Sequence, residues 1–328
     1  MEMKRTNQNP IDESRWVKIV LIGLAVAFLG VMLVIPLISI FVEAFRQGWY
    51  LYIASLTEPD AVSAIKLTLL TAAVVLPINV IFGVSVAWLL TRFDFRGKQW
   101  MTTLLDLPFS VSPVVAGLMF ILLFGSYSFL GGWLESHGIQ VIFAVPGIVI
   151  ATLFVTFPFV ARELIPLMQS QGSSEEQAAL VLGASSWQMF WRVTLPNIRW
   201  ALLYGIILSN ARAMGEFGAV SVVSGHIRGL TNTLPLHIDV LYNDYNQVGA
   251  FAAASLLALL AILTLILQHV LSWWESRKQK QASESRSGSD HRSDTMNKKL
   301  KNELSFEKEK LASSTNKASE LGSNKVTT

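Results

Sequence analysis

Cysteine is absent from the 328 residues. That removes disulfides, thiolate metal sites, iron–sulfur clusters and thiol nucleophiles together. Charge is scarce: 15% of the chain is charged and 52% apolar, against about 25% charged in an ordinary soluble protein. The five histidines fall in no HxxxH or HExxH spacing, so a transition-metal centre is not expected. There is no GxxxxGK[ST] phosphate loop and no GxSxG elbow, which excludes a nucleotide motor and an α/β-hydrolase. Any bond chemistry must come from a partner.

Basic residues are also unevenly spread. The sequence isoelectric point is 9.1, yet residues 277–328 hold 12 of the 26 basic and 7 of the 23 acidic groups, leaving 14 and 16 for the rest. The alkaline balance therefore belongs to the tail, not to a folded basic face, and does not argue for nucleic-acid binding. The tail is rich in Ser, Lys, Glu and Asn and poor in large apolar residues, a composition that cannot bury enough surface to fold alone.

What is present in quantity is long apolar sequence. A bilayer core about 30 Å thick needs roughly 20 mainly apolar residues in a helix. Six stretches reach that length: 19–42, 67–90, 104–124, 141–160, 201–223 and 248–270. None alternates in the manner of barrel strands, so the expected fold class is all-α integral membrane with six transmembrane helices. The first run is too long for a signal-peptide core and stays as a span. Connections on one side carry Lys4, Arg5, Arg15, Lys18, Arg92, Arg96, Lys98, Arg162, Arg192, Arg199, Arg277, Lys278 and Lys280; the other side has Arg46, Lys66 and Arg228. By the positive-inside rule both termini are expected to be cytoplasmic, with residues 1–18 a cytoplasmic lead-in, 19–276 the membrane domain and 277–328 a disordered tail.

The fourth connection, 161–200, is the most informative. Ser174 to Gln177 fits a capping box, so a helix is expected to start there and to end at Gly183, where glycine permits a left-handed turn. Ser185 to Gln188 repeats the signal, and a second helix is expected over about 186–195, stopping at Pro196. On it Trp187, Phe190, Trp191 and Thr194 share one face. Such an aromatic face either docks in a partner's groove or packs under the protein's own bundle; both readings stand at this point.

These residues carry a resemblance. Gln177-Ala178-Ala179, Gly183 and Leu195-Pro196 resemble the E-A-A-x(3)-G cytoplasmic loop, with its terminal L-P, of permease subunits of bacterial ABC importers, with Gln177 in place of the family's Glu. Residues 105–117 (LDLPFSVSPVVAG) and 211–219 (ARAMGEFGA) look like the sulfate and molybdate permease family. Residues 230–238 (LTNTLPLHI) are most similar to its W-type sulfate/thiosulfate branch. The similarity covers about residues 15–276. It implies the type I ABC importer permease fold with a cytoplasmic helix-turn-helix coupling loop, in the bacterial inner membrane. It further implies a related T-type permease as partner, two ATP-binding subunits contacting the loop, and a periplasmic sulfate- or thiosulfate-binding protein. No cofactor is then expected in this chain, since ATP and magnesium sit on the ATPase.

Asn210, Arg212 and Glu216 lie inside the fifth span, Arg212 about 17 Å from its inner end at 1.5 Å per residue. A charge there costs about 2.5–3.5 kcal/mol on insertion scales. Arg212 and Glu216 are one turn apart on one face. They either neutralise each other or place Arg212 on the translocation path, where its fork of donors suits a doubly negative oxyanion. Asn210, Ser110, Ser112 and Ser221 are lesser candidates for that path. Two alternatives to a sulfate importer remain: a molybdate or tungstate importer, and an ion-coupled secondary carrier using the Arg212–Glu216 pair. No internal repeat supports the latter. On the outer side, 234–241 is expected to form a short interfacial helix.

Overall fold

In a computed structural model of the chain, residues 15–270 and Trp273 are described. The chain divides into a unit up to Gln268 and a second unit from His269; the fold below is that of the first. Most of the tail and of the N-terminal lead-in lies outside the described residues.

Twelve helices are present among the described residues: α1 (Trp16–Phe45), α2 (Trp49–Thr57), α3 (Pro59–Arg92), α4 (Lys98–Ser110), α5 (Pro113–Phe124), α6 (Phe129–Ser136), α7 (Val145–Gln171), α8 (Ser174–Val181), α9 (Ser186–Met214), α10 (Gly218–Ser224), α11 (Leu234–Asn243) and α12 (Gln247–Val270). Four of them, α1, α3, α7 and α12, are long and apolar enough to cross a membrane unaided. The third and fifth predicted spans are not single rods. Each is a bent pair, α4 with α5 at 106° and α9 with α10 at 49°, and six spans are reached only if each pair counts as one.

The breaks have local causes. Val111 and Ser112 are both extended (ψ 132 and 134°) because Pro113 disfavours helical geometry in the residue before it. At the second break Gly215 and Phe217 leave the helical region. The Glu216 carboxylate accepts the Ala219 amide at 2.9 Å, covering one of the N–H groups that a new helix start leaves open.

Two prolines elsewhere follow widened turns, while Pro77, Pro108, Pro158 and Pro166 lie within α-helices. A π-turn at Gly30–Val34 precedes Pro36, and another at Phe190–Thr194 precedes Pro196. Proline lacks a donor and clashes with the carbonyl four residues back. In the second turn the Leu195 amide reaches the Phe190 carbonyl, five residues back. Helix 186–195 therefore does not stop at Pro196, as the sequence suggested, but runs on into the span.

The centre of the bundle is α3, α7 and α9. Small residues on α3 (Ala61, Ala64, Ala72, Gly83, Ala87) are buried and let α7 approach closely. A Cβ placed on Gly83 would lie 2.6 Å from Val160 Cβ, and one on Gly205 of α9 would lie 3.2 Å from Val160 Cα. Val160 is thus gripped by a glycine from each neighbour. One apolar cluster (Ala87, Val160, Leu164, Met168, Ile198) fills the Arg92 end of this trio. Another (Leu67, Ile148, Val155, Val220, Leu236) fills the Pro59 end. By contrast no residue in the most apolar stretch of α1 is buried.

Helix α11 is present, as expected for the outer connection, and its Leu234 amide donates to Thr68 Oγ1 of α3 at 2.8 Å. Helices α2 and α6 were not anticipated. The Ser128 hydroxyl caps α6 by accepting the Gly131 amide at 2.9 Å, a signal that the residue types do offer.

Candidate functional site

The 40-residue connection at 161–200 contracts in the structure. Helix α7 continues to Gln171 and α9 begins at Ser186, so only residues 172–185 lie between them, with α8 inside. Two glycines of positive φ, Gly172 (+68°) and Gly183 (+89°), bound α8. At the second, the Gly183 amide donates to the Leu180 carbonyl and the Ala184 amide to the Ala179 carbonyl, both at 3.0 Å. This is the paired closure by which a left-handed glycine ends a helix. The N-terminal cap differs from expectation: Ser173 occupies the cap position, and Gln177 Nε2 donates to the Ser173 hydroxyl at 3.0 Å. The second box is present, with the Gln188 amide on Ser185 Oγ and the Ser185 amide on Gln188 Oε1.

Ala178 and Ala179 lie on α8, and its exposed apolar tip is Leu180, Val181 and Leu182, the last two 87% exposed. The three aromatics do share a face, and they touch: Trp187 and Trp191 are 5.5 Å apart, Phe190 and Trp191 5.7 Å. Phe190 is also 5.7 Å from Trp88 of α3. The face is therefore turned partly onto the protein's own bundle, bordering a cavity of about 590 Å³ lined by Val80, Ile81, Val84 and Trp88 on one side and Trp187, Phe190 and Trp191 on the other. Thr194 leaves this face; the widened turn rotates it inward, where it is buried. Leu195 and Pro196 enter the span.

The segment is fastened by a carboxylate that nothing in the polar run of residues 174–177 singles out. Glu176 is 7% exposed. Its Oε2 lies 2.6 Å from Arg92 Nε, and its Oε1 accepts from Arg92 Nη2 at 3.2 Å and from the Thr194 hydroxyl at 2.8 Å.

At the second location the structure brings the two breaks together. A Cβ on Gly218, just past the bend of α9 and α10, would lie 2.9 Å from Pro113 Cβ, just past the bend of α4 and α5. Ser110 and Ser112 are exposed there, although Ser110 Oγ also reaches its own Asp106 carbonyl at 3.4 Å. Arg212 Nη1 and Glu216 Oε2 form an ion pair of 2.8 Å, with the glutamate side chain 1% exposed and the arginine 35%. Asn210 points its amide to Met214 Sδ at 3.8 Å, a weak contact. Ser221 donates to the Gly218 carbonyl. The cavity beside this bend, about 370 Å³, is lined by Ala211, Met214, Gly215, Ile238, Leu257 and Ala258; its lining is almost wholly apolar, and the hydroxyl of Thr264 there is spent on the Ala261 carbonyl.

One buried polar contact was missed altogether. Asn79 of α3, fully buried, donates to Thr156 Oγ1 of α7 at 2.8 Å and to Ser209 Oγ of α9 at 3.0 Å. An Asn beside Pro77 in an apolar run was the available signal. Asp106 pairs with Arg162 of α7 at 2.9 Å. Among the described residues no group of three or more His, Asp or Glu is placed to hold a metal ion.

Long apolar helices, two spans broken where they meet and a short capped helix slung between two of the rods make up an integral membrane bundle. A family model described as binding-protein-dependent transport system inner membrane component matches residues 79–274, and the chain belongs to that family. It is 54% identical over 281 residues to the sulfate transport system permease protein CysW of Escherichia coli K12, covering 86% of this chain and 96% of the relative. It is 52% identical to the protein of that name in Synechocystis, over 78% of this chain and 92% of the relative. To the sulfate transport system permease protein CysT of E. coli K12 it is 37% identical, over 74% of this chain and 88% of that one. Among solved structures, a bacterial ABC transporter involved in the import of the acidic polysaccharide alginate superimposes with a TM-score of 0.65 at 17% identity, over 80% of this chain and 96% of that chain. That likeness shows the fold: the chain has the helical architecture of ABC importer permeases.

Proposed function

We propose that this chain is the W-type permease subunit of an ATP-driven importer of sulfate or thiosulfate, working by alternating access. The observation that carries this reading is the 54% identity to a CysW permease along nearly the whole of that protein. A second chain of the CysT kind would complete the pathway, two ATP-binding subunits would meet the α8 segment, and a periplasmic binding protein would deliver the anion. ATP and magnesium then belong to the ATPase, and this chain performs no bond chemistry. Both termini and α8 face the cytoplasm, in keeping with the excess of Lys and Arg on that side.

In this reading α8, with Gln177, Ala178, Ala179 and Gly183, meets the ATPase through its Leu180–Leu182 tip, while Trp187, Phe190 and Trp191 brace it against α3. Ser110, Ser112, Asn210 and Arg212 line the path where the broken spans meet. Glu216 offsets the Arg212 charge, so a dianion meets donors and a partly neutralised guanidinium, a contact weak enough to release its cargo.

The test is reconstitution with a CysT-type partner, the ATPase and the binding protein, followed by uptake of labelled sulfate. Uptake is expected to require both ATP and binding protein. Uptake that persists without either would overturn the reading in favour of an ion-coupled carrier, and competition by molybdate but not thiosulfate would shift the substrate class.

A further inference from the structure

We propose that Glu176, and not its neighbour Gln177, is the joint through which movement of α8 enters the membrane bundle. The inference rests on the docking reading above and concerns what happens after docking.

Helix α8 is bounded by Gly172 and Gly183, both at positive φ with nothing within 4 Å of where a Cβ would sit. Glycine in that region turns at little steric cost, so backbone alone leaves α8 free to swing between two pivots. Two side chains hold its angle: exposed Glu175 accepts from Asn197 Nδ2 of α9, and buried Glu176 makes the remaining contacts. Glu176 takes the Arg92 Nε at 2.6 Å, a second Arg92 nitrogen at 3.2 Å and the Thr194 hydroxyl at 2.8 Å. Arg92 in turn donates to the Met168 carbonyl of α7 at 3.0 Å. A single carboxylate therefore ties α8 to the end of α3, to α7 and to the π-turn of α9, the three rods of the central trio.

The charges suit their places. Arg92 closes the last turn of α3 and Glu176 lies in the first turn of α8, each at the helix end that favours its sign. One hydrogen bond and one close ion-pair contact from Arg92, with the bond from Thr194, hold the carboxylate, so a tilt of α8 is passed to α3, α7 and α9. Gln177 is exposed and reaches only Ser173. The carboxylate turned toward the bundle is that of Glu176, which is buried.

Glu176 is a positioning residue, and the measurement is transport per ATP rather than activity alone. In proteoliposomes holding the full complex, Glu176→Gln is expected to leave the ATPase bound and hydrolysing. Sulfate taken up per ATP should fall at least about tenfold, and by more than in Gln177→Ala, which touches the docking segment but not the bundle. Thr194→Val should fall in between. Uptake per ATP within about twofold of wild type for Glu176→Gln overturns the proposal. If Glu176→Gln fails to assemble, the double variant Arg92→Met with Glu176→Met, which removes both charges and keeps the volume, is judged by the same ratio. Docking itself is checked separately. The chain has no cysteine, so Leu182→Cys gives a single cross-linking site, and absence of a cross-link to the ATPase would defeat the docking reading whatever the coupling ratio.

Discussion

Removing the guanidinium of Arg212 should destabilise the permease before it says anything about transport. Glu216 is 1% exposed and its charge is met by Arg212 at 2.8 Å and by the Ala219 amide at 2.9 Å. Stranding one member of a fully buried pair costs about 3–5 kcal/mol. Arg212 keeps 35% of its side-chain exposure, so part of the attraction is screened, and the amide remains; the expected loss for Arg212→Ala is on the order of 2–3 kcal/mol. Adding Glu216→Gln removes the stranded charge while keeping an acceptor for Ala219, and should recover about 1–2 kcal/mol. Equilibrium unfolding of the four proteins in one detergent gives the cycle. An Arg212→Ala protein within about 0.5 kcal/mol of wild type, or no recovery in the double variant, would refute the argument that the pair holds the bend. Arg212→Lys then separates the roles. It retains the charge and much of the stability, and lowers sulfate uptake if the fork of donors touches the anion.

Four other outcomes follow from the packing. Gly83→Ala should already cost stability, because about 1–3 kcal/mol of overpacking at Val160 outweighs about 1 kcal/mol of helix propensity, and Gly83→Leu should cost more; thermal unfolding in detergent ranks them, and a Gly83→Ala protein as stable as wild type would contradict the close approach. Asn79→Ala removes two interhelical hydrogen bonds worth about 0.6 kcal/mol each in membrane proteins, a loss of about 1 kcal/mol readable by the same assay. Gly183→Val places a branched residue at φ +89° and should lower sulfate uptake more than Gly183→Asn, because asparagine tolerates the left-handed region; the reverse order in proteoliposomes would rule out the turn. His237 is 3% exposed, and burial holds its pKa below the usual histidine value, against the pull of Glu58 and Asp60. The unfolded chain then binds the proton more readily, so stability should decline as pH falls below about 6.5 and through the lower folded value; unfolding midpoints across that range, flat in His237→Gln, measure it.

The sequence alone determined that the chain is helical and membrane-bound, and where its apolar rods lie, because a bilayer imposes length and polarity on each span one at a time. It also marked Gly183 and the Ser185 cap, which are local events within four residues. Helix α11 was legible from Leu234 and Pro235 at its start for the same reason.

What depends on neighbours was not legible. Pro113 lies in a stretch read as one span, and that the chain bends there beside the bend at Gly218 is a matter of how two spans cross. Pro196 read as a stop, yet a π-turn carries the helix past it, since widening the turn moves the clashing carbonyl aside. That turn also rotates Thr194 off the aromatic face and onto Glu176. Glu175, Glu176 and Gln177 look interchangeable as a polar run, and only the position of Arg92, 84 residues away, distinguishes the buried one. Propensity and hydropathy act along the chain, whereas ion pairs and bends that abut act across it, and the tertiary structure alone decides those.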